Sequence, residues 1–315
     1  MFDPFARPED RIMDWRGKRE SDNVIEDDGG GGGGGYGGGG GLQFGGFHIG
    51  IGGIILIVVV SLLFGKNPLD ILSLLSGGVD NGAPTAQQMP AQGSATPSTK
   101  DDEPRQFVRI VLASTEDVWT PYFQQLGARY QDPKLHLFHG TTRTGCGGGS
   151  EAMGPFYCPA DQQVYLDLDF FHEMDTRFHA QGDFARAYVI AHEVGHHVQN
   201  SIGIMEKVEQ ARRQGTPMDG ANGLSVRQEL QADCFAGVWG NRSQAQLKWL
   251  QAGDVDAALN AASSVGDDTL QKQARGYAVP DSFTHGTSAQ RQRWFKAGFA
   301  SGDIKSCDTF SASSL

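Results

Sequence analysis

Downstream of residue 104 the apolar positions fall mostly at intervals of three and four, the helical period, and only two short runs keep the alternation of a strand. Phe107–Tyr130 reads as largely helical, with an interruption expected at Pro121, because an internal proline removes one N–H and crowds the preceding turn. Leu135–Phe138 and Val164–Leu168 read as short strands; the second lies in QQVYLDLDFF, where apolar and acidic residues partly alternate. Three further helices are expected: Phe184–Asn200 opened by Asp183, Ser225–Trp239 capped by Ser225 with Gln228 three residues later, and Ser288–Ala300 capped by Ser288. Many helices and few strands predict an α+β domain over residues 104–315.

The first hundred residues follow another pattern. Residues 1–46 read as a charged, polar tail followed by a Gly-rich spacer with too few side chains to build a core. The stretch Phe47–Phe64 (FHIGIGGIILIVVVSLLF) has no Asp, Glu, Lys or Arg. As a helix it would run about 27 Å, close to the ~30 Å of a hydrocarbon core, which predicts one transmembrane helix over residues 47–65. Residues 66–103, rich in Pro, Ala, Ser and Gln, read as a flexible linker. Arg7, Arg11, Arg16, Lys18 and Arg19 precede the apolar stretch and only Lys66 closely follows it, a bias that predicts the N-terminus inside and residues 66–315 outside the cytoplasm.

The formal net charge of −11 and the absence of any basic run exclude a nucleic-acid surface, which needs clustered Lys and Arg. None of the four cysteines, Cys146, Cys158, Cys234 and Cys307, forms a C-x-x-C pair. Cys146 and Cys158 flank a Gly-rich loop that a disulfide would close, which leaves Cys234 to pair with Cys307. The two other connectivities, and four free buried thiols, are the alternatives. Disulfides agree with an oxidising compartment.

The chemistry concentrates in AYVIAHEVGHHVQN. On a helix, His192 and His196 at i and i+4 lie one turn apart on one face and can offer two imidazoles to one zinc ion, with Glu193 beside them. A catalytic zinc takes three protein ligands, and LSVRQELQADCFAGVW supplies a candidate third in Glu229. Asp233, again at i+4, can accept a hydrogen bond from the far nitrogen of a ligating histidine.

HEVGHH and ELQADCFAG resemble the segments of gluzincin-type peptidases, which pair H-E-x-x-H with E-x-x-x-D. More closely, the chain resembles the bacterial family of putative neutral zinc metallopeptidases, through these segments and through RGKRESDNV, TEDVW and DSFTHGTSAQRQRWF. The resemblance implies a zincin-like, mostly helical domain with a small sheet. It also implies zinc on His192, His196 and Glu229, Glu193 as catalytic base, and a peptide or protein substrate. Some enzymes of this type place a His or Tyr after the third ligand as oxyanion donor; His285 is the candidate here and Arg291 the runner-up. The strand near Val164–Leu168 is expected to bind an extended peptide along a sheet edge. His197 points to another helix face and is expected to pack or to take a surface role; His48, His136, His139, His172 and His179 have no motif spacing to the site. Two other classes compete: a non-catalytic zinc-binding or chaperone-like protein, against which the intact Glu193 argues, and a zinc hydrolase of non-peptide amides.

Overall fold

The computed structural model describes residues 13–26, 99–150 and 154–315. The apolar stretch 47–65, with His48, lies outside them. Among the described residues no helix is long and apolar enough to cross a membrane.

The chain enters the fold through a short strand, β1 (Val24–Glu26), and a long helix, α1 (Thr99–Gln125). The strands β2 (Lys134–Phe138), β3 (Thr141–Thr144), β4 (Gly147–Ser150), β5 (Phe156–Cys158) and β6 (Gln163–Asp167) follow. Then come helices α2 (Asp169–Thr176), α3 (Asp183–Ser201), α4 (Ile204–Arg213), α5 (Leu224–Leu247), α6 (Asp254–Ser264), α7 (Asp267–Arg275) and α8 (Ser288–Ser301). The architecture is mixed and mostly helical, as the periodicity predicts.

The four-stranded sheet has the order β1-β2-β6-β5. β1 and β6 both run parallel to β2, and β5 runs antiparallel to β6. β3 and β4 form a separate hairpin, which the Cys146–Cys158 disulfide ties to β5. The Val164–Leu168 region is therefore an interior strand, not the expected edge. Its residues 164–167 are buried, and the antiparallel edge belongs to β5.

The largest departure concerns the N-terminus. Residues 13–26 are built into the same compact unit as residues 100–315 and are not a detached tail. Met13 and Trp15 sit in the main core at 0% and 2% exposure. The Trp15 indole N–H donates to Asp183 at the start of α3 (2.8 Å), and Asp14 N–H donates to Trp249 O (2.8 Å). Two of the basic residues read as a membrane flank serve the fold: Arg16 lies over the Trp15 ring and pairs with Glu103, and Arg19 pairs with Glu116 (2.7 Å) and Asp117 (2.9 Å). A strand hydrogen-bonded to β2 cannot lie across a bilayer from it. The expected inside tail and outside domain thus give way to one folded unit containing both.

Other departures are local. α1 continues through Pro121, because the flanking Trp119, Tyr122 and Phe123 are all buried and packing outweighs one lost hydrogen bond. α3 and α5 begin after Gly182 and Gly223 with no side-chain cap, and Asp183 instead receives the Trp15 N–H. α8 carries a capping box one residue earlier than expected, formed by Thr287 and Gln290. Ser288 turns away to Asp268 and Ser263 O.

Three helices position the site. α3 packs against α5 and α6, and α8 lies along α5. Gly195 sets the first crossing: a Cβ there would meet Ala232 O at 3.0 Å, so glycine lets α3 and α5 approach closely. The Cys234–Cys307 disulfide fastens the C-terminal 3-10 turn (Ile304–Cys307) to α5.

Candidate metal centre

His192, Glu193 and His196 lie on α3 and Glu229 and Asp233 on α5, one turn apart in each case. Donor atoms of His192, His196 and Glu229 all fall within 4.8 Å of one another. His192 Nε2 is 3.2 Å from one Glu229 oxygen, and His196 Nε2 is 3.4 Å from the other. Zinc–ligand bonds of ~2.0–2.1 Å at tetrahedral angles put neighbouring donors about 3.3 Å apart, close to both histidine–glutamate separations. The side chains are mostly buried, with His192 and His196 at 6% and 8% exposure.

Each imidazole turns its other nitrogen to an acceptor. His192 Nδ1–H donates to Asp233 Oδ1 (2.9 Å), and His196 Nδ1–H donates to Gln199 Oε1 (2.9 Å). Both Nε2 atoms are left to the metal position, the arrangement that fixes tautomer and ring orientation. Asp233 is fully buried but well satisfied. Its Oδ1 also accepts from Tyr188 Oη–H and Arg291 Nη2 (2.9 Å), and its Oδ2 accepts from Arg291 Nε (2.8 Å).

The electrostatics follow from this packing. Burial pushes the Asp233 carboxyl up, but Arg291 and His192 outweigh it and hold it well below the usual range. Burial likewise opposes the charge on Glu229, yet the two histidines hold it ionised. Burial would lower both His192 and His196; the facing carboxylates raise them instead. Glu193 behaves differently: burial lifts its pKa, the histidines lower it, Glu229 lifts it again, and the net direction is up.

His285 stands beside this cluster, close enough that its charge and that of Glu229 act on each other. Its Nδ1 lies 2.9 Å from Thr284 Oγ1 and 3.4 Å from Asp267 Oδ1. Asp267 Oδ2 in turn accepts the backbone N–H groups of Thr284, His285 and Gly286, which fixes the loop. Arg291 is spent on Asp233 and Tyr188, so the runner-up donor belongs to the support of the site. Of the two roles expected for His197 the structure shows packing, with Nε2 donating to Gln131 O (2.7 Å) and Nδ1 at 3.2 Å from Tyr157 Oη. His136 stacks on Tyr165. A second trio, His139, Asp167 and Asp169, lies apart; Asp167 there accepts the N–H groups of Gly140 and Asp169 and so braces a turn.

Sequence reasoning missed Tyr188, Gln199 and Asp267. Tyr188 precedes His192 by four residues and Gln199 follows His196 by three, so the same helical spacing that reveals the candidate ligands marks both. Asp267 lies 18 residues from His285 with no periodic relation to it.

A family model described as putative neutral zinc metallopeptidase matches residues 13–310, and so includes the N-terminal strand as well as the site. The chain is 51% identical over 301 residues to "Uncharacterized protein YpfJ" of Escherichia coli K12, covering 96% of this chain and all of that protein. It is 44% identical over 212 residues to "Uncharacterized protein Mb2605" of Mycobacterium bovis, covering 64% of this chain and 69% of that one. No solved structure matches. With a converged H-E-x-x-H and glutamate cluster and a family match across nearly its whole length, the chain belongs to the putative neutral zinc metallopeptidase family.

Proposed function

We propose that this chain is a zinc-dependent peptidase, with His192, His196 and Glu229 as metal ligands, Asp233 orienting His192, and Glu193 as the general base. The observation that carries this reading is the convergence of three candidate donors within 4.8 Å of one another, with a buried carboxyl beside them.

Zinc, once bound, supplies Lewis acidity toward a peptide carbonyl and lowers the pKa of water from about 15.7 to about 7. Glu193 takes a proton from the attacking water and returns it to the leaving amine. Burial raises its pKa, the direction that lets one carboxyl serve as base and then as acid. His285 donates a hydrogen bond to the oxygen that becomes negative. Burial disfavours its charge, but Asp267 and Glu229 favour it, and the protonated ring has a donor on each nitrogen. An extended peptide adds as a strand to the antiparallel edge β5, which is joined to α3 through the Asn200 Nδ2 to Tyr157 Oη bond (3.0 Å).

Two disulfides suit an oxidising compartment, which makes extracytoplasmic proteins the substrates. The apolar stretch 47–65 attaches the chain to a membrane.

The test uses the full chain loaded with zinc, incubated with casein and with a random peptide library read by mass spectrometry. Wild type cleaves, and Glu193→Gln keeps its zinc while losing roughly 10²–10⁴-fold in rate. A wild type that holds zinc and cleaves no peptide supports the non-catalytic zinc-binding reading instead.

A further inference from the structure

Asp233 supports His192, but the second histidine of the motif has no carboxylate behind it. Its Nδ1 faces the side chain of Gln199, which is completely buried. A primary amide presents either an acceptor or a donor, and only the acceptor end suits a metal-ligating imidazole, whose Nδ1 must carry the proton if Nε2 is to bind the metal. Which end faces His196 is decided by the neighbours. The other end of the Gln199 amide lies 2.7 Å from the backbone carbonyl of Gln228. A carbonyl only accepts, so that end is the NH₂ and the oxygen must face His196.

The same end also lies 3.1 Å from Gln231 Oε1. Gln231 is fixed by the same logic, because its NH₂ lies 3.0 Å from the carbonyl of Cys307. Two backbone carbonyls, one on α5 and one on the turn that the Cys234–Cys307 disulfide fastens to α5, therefore hold two amides in one sense. Reversal of either amide would set oxygen against oxygen in a buried site.

We infer that Gln199 is a positioning residue that fixes the Nδ1–H tautomer of His196, with its own amide held by the Gln228 carbonyl and, through Gln231, by the Cys307 carbonyl. This rests on the zinc reading above, and it assigns the two histidines different supports: a charged, bidentately braced carboxylate for His192 and a neutral amide relay for His196.

The test measures the zinc affinity of the full chain by competition with a chromophoric chelator, together with the visible absorption of the cobalt-substituted protein. Gln199→Met keeps the length of the side chain and removes the acceptor. Gln231→Met removes the relay to the Cys307 carbonyl but leaves the Gln228 carbonyl to hold the sense of the Gln199 amide. Gln199→Met is expected to bind zinc ~10–100-fold more weakly and to alter the cobalt spectrum, with Gln231→Met falling between it and wild type. Urea unfolding of the metal-free proteins separates this from a packing defect. The inference is overturned if Gln199→Met binds zinc within about twofold of wild type while wild type binds normally. It is equally overturned if both variants weaken zinc only in proportion to a shared loss of metal-free stability. Failure of wild type itself to bind zinc would sink the zinc reading, a separate outcome.

Discussion

A fragment that begins at residue 104 should not fold, although the sequence alone places the start of the domain there. Removing residues 1–103 strips two core side chains, Met13 and Trp15, and the edge strand β1. Truncating a buried Met costs ~2–5 kcal/mol and a buried Trp ~3–5 kcal/mol. Glu116, 7% exposed, also loses Arg19, Ser21 and Asn23, and a buried acceptor deprived of partners costs a further ~1–3 kcal/mol or more. These terms reach roughly 6–13 kcal/mol even before the β1 hydrogen bonds, and a whole domain has only ~5–15 kcal/mol in reserve. The assay is urea unfolding by near-UV circular dichroism on two fragments, 104–315 and one joining residues 13–26 to 100–315 by a short Gly/Ser linker. The first should show no cooperative transition and the second should show one. A 104–315 fragment that unfolds cooperatively at the same urea midpoint as the joined one would refute this account of the N-terminal segment.

Three further outcomes are expected. Arg291→Met leaves Asp233 buried without its bidentate partner and should cost ~3–5 kcal/mol by urea unfolding; a loss below about 1 kcal/mol contradicts the bracing role. Asp254 is 4% exposed, and burial raises its pKa to about 6. The folded state then binds its proton more tightly than the unfolded chain, so stability is lost as pH rises from about 4 through 6. Asp254→Asn should therefore raise the urea midpoint at pH 7.5, by up to ~3 kcal/mol in free energy, and leave it unchanged at pH 4. An equal effect at both values contradicts the assignment. Finally, terminal tags on the full-length chain should be digested by added protease from the same face of the cell membrane; protection of one tag while the other is cut would contradict the shared unit of β1 and β2.

The site was legible because its signals are local. His192 and His196, and Glu229 and Asp233, are each one helical turn apart, so the period that predicts the helix also predicts the shared face. The pairing of the two helices was not encoded in either segment. It depends on Gly195 admitting Ala232, which sequence spacing does not reveal. The order of the sheet was equally hidden: β6 reads as a partly acidic strand, yet Asp167 is 1% exposed, because its carboxylate braces the turn at Gly140. The N-terminal segment failed for a related reason. Met13, Trp15, Val24 and Ile25 are too few and too scattered among charges to show a period, and their partners lie some 90 to 235 residues away, as in Ser21–Arg109 and Asp14–Trp249. The caps of α3 and α5 were misread because both helices start on glycine, and at Gly223 the backbone of Met218 and Asp219 leaves no room for a side chain.

The central claim is that one zinc ion is held by His192, His196 and Glu229, and metal content tests it most directly. Full-length protein is dialysed against zinc, freed of loosely bound metal, and measured by plasma mass spectrometry beside His192→Ala, His196→Ala and Glu229→Ala. The account predicts one zinc per wild-type chain and far less than one in each variant. Wild type without zinc, or variants that retain a full equivalent, would contradict it.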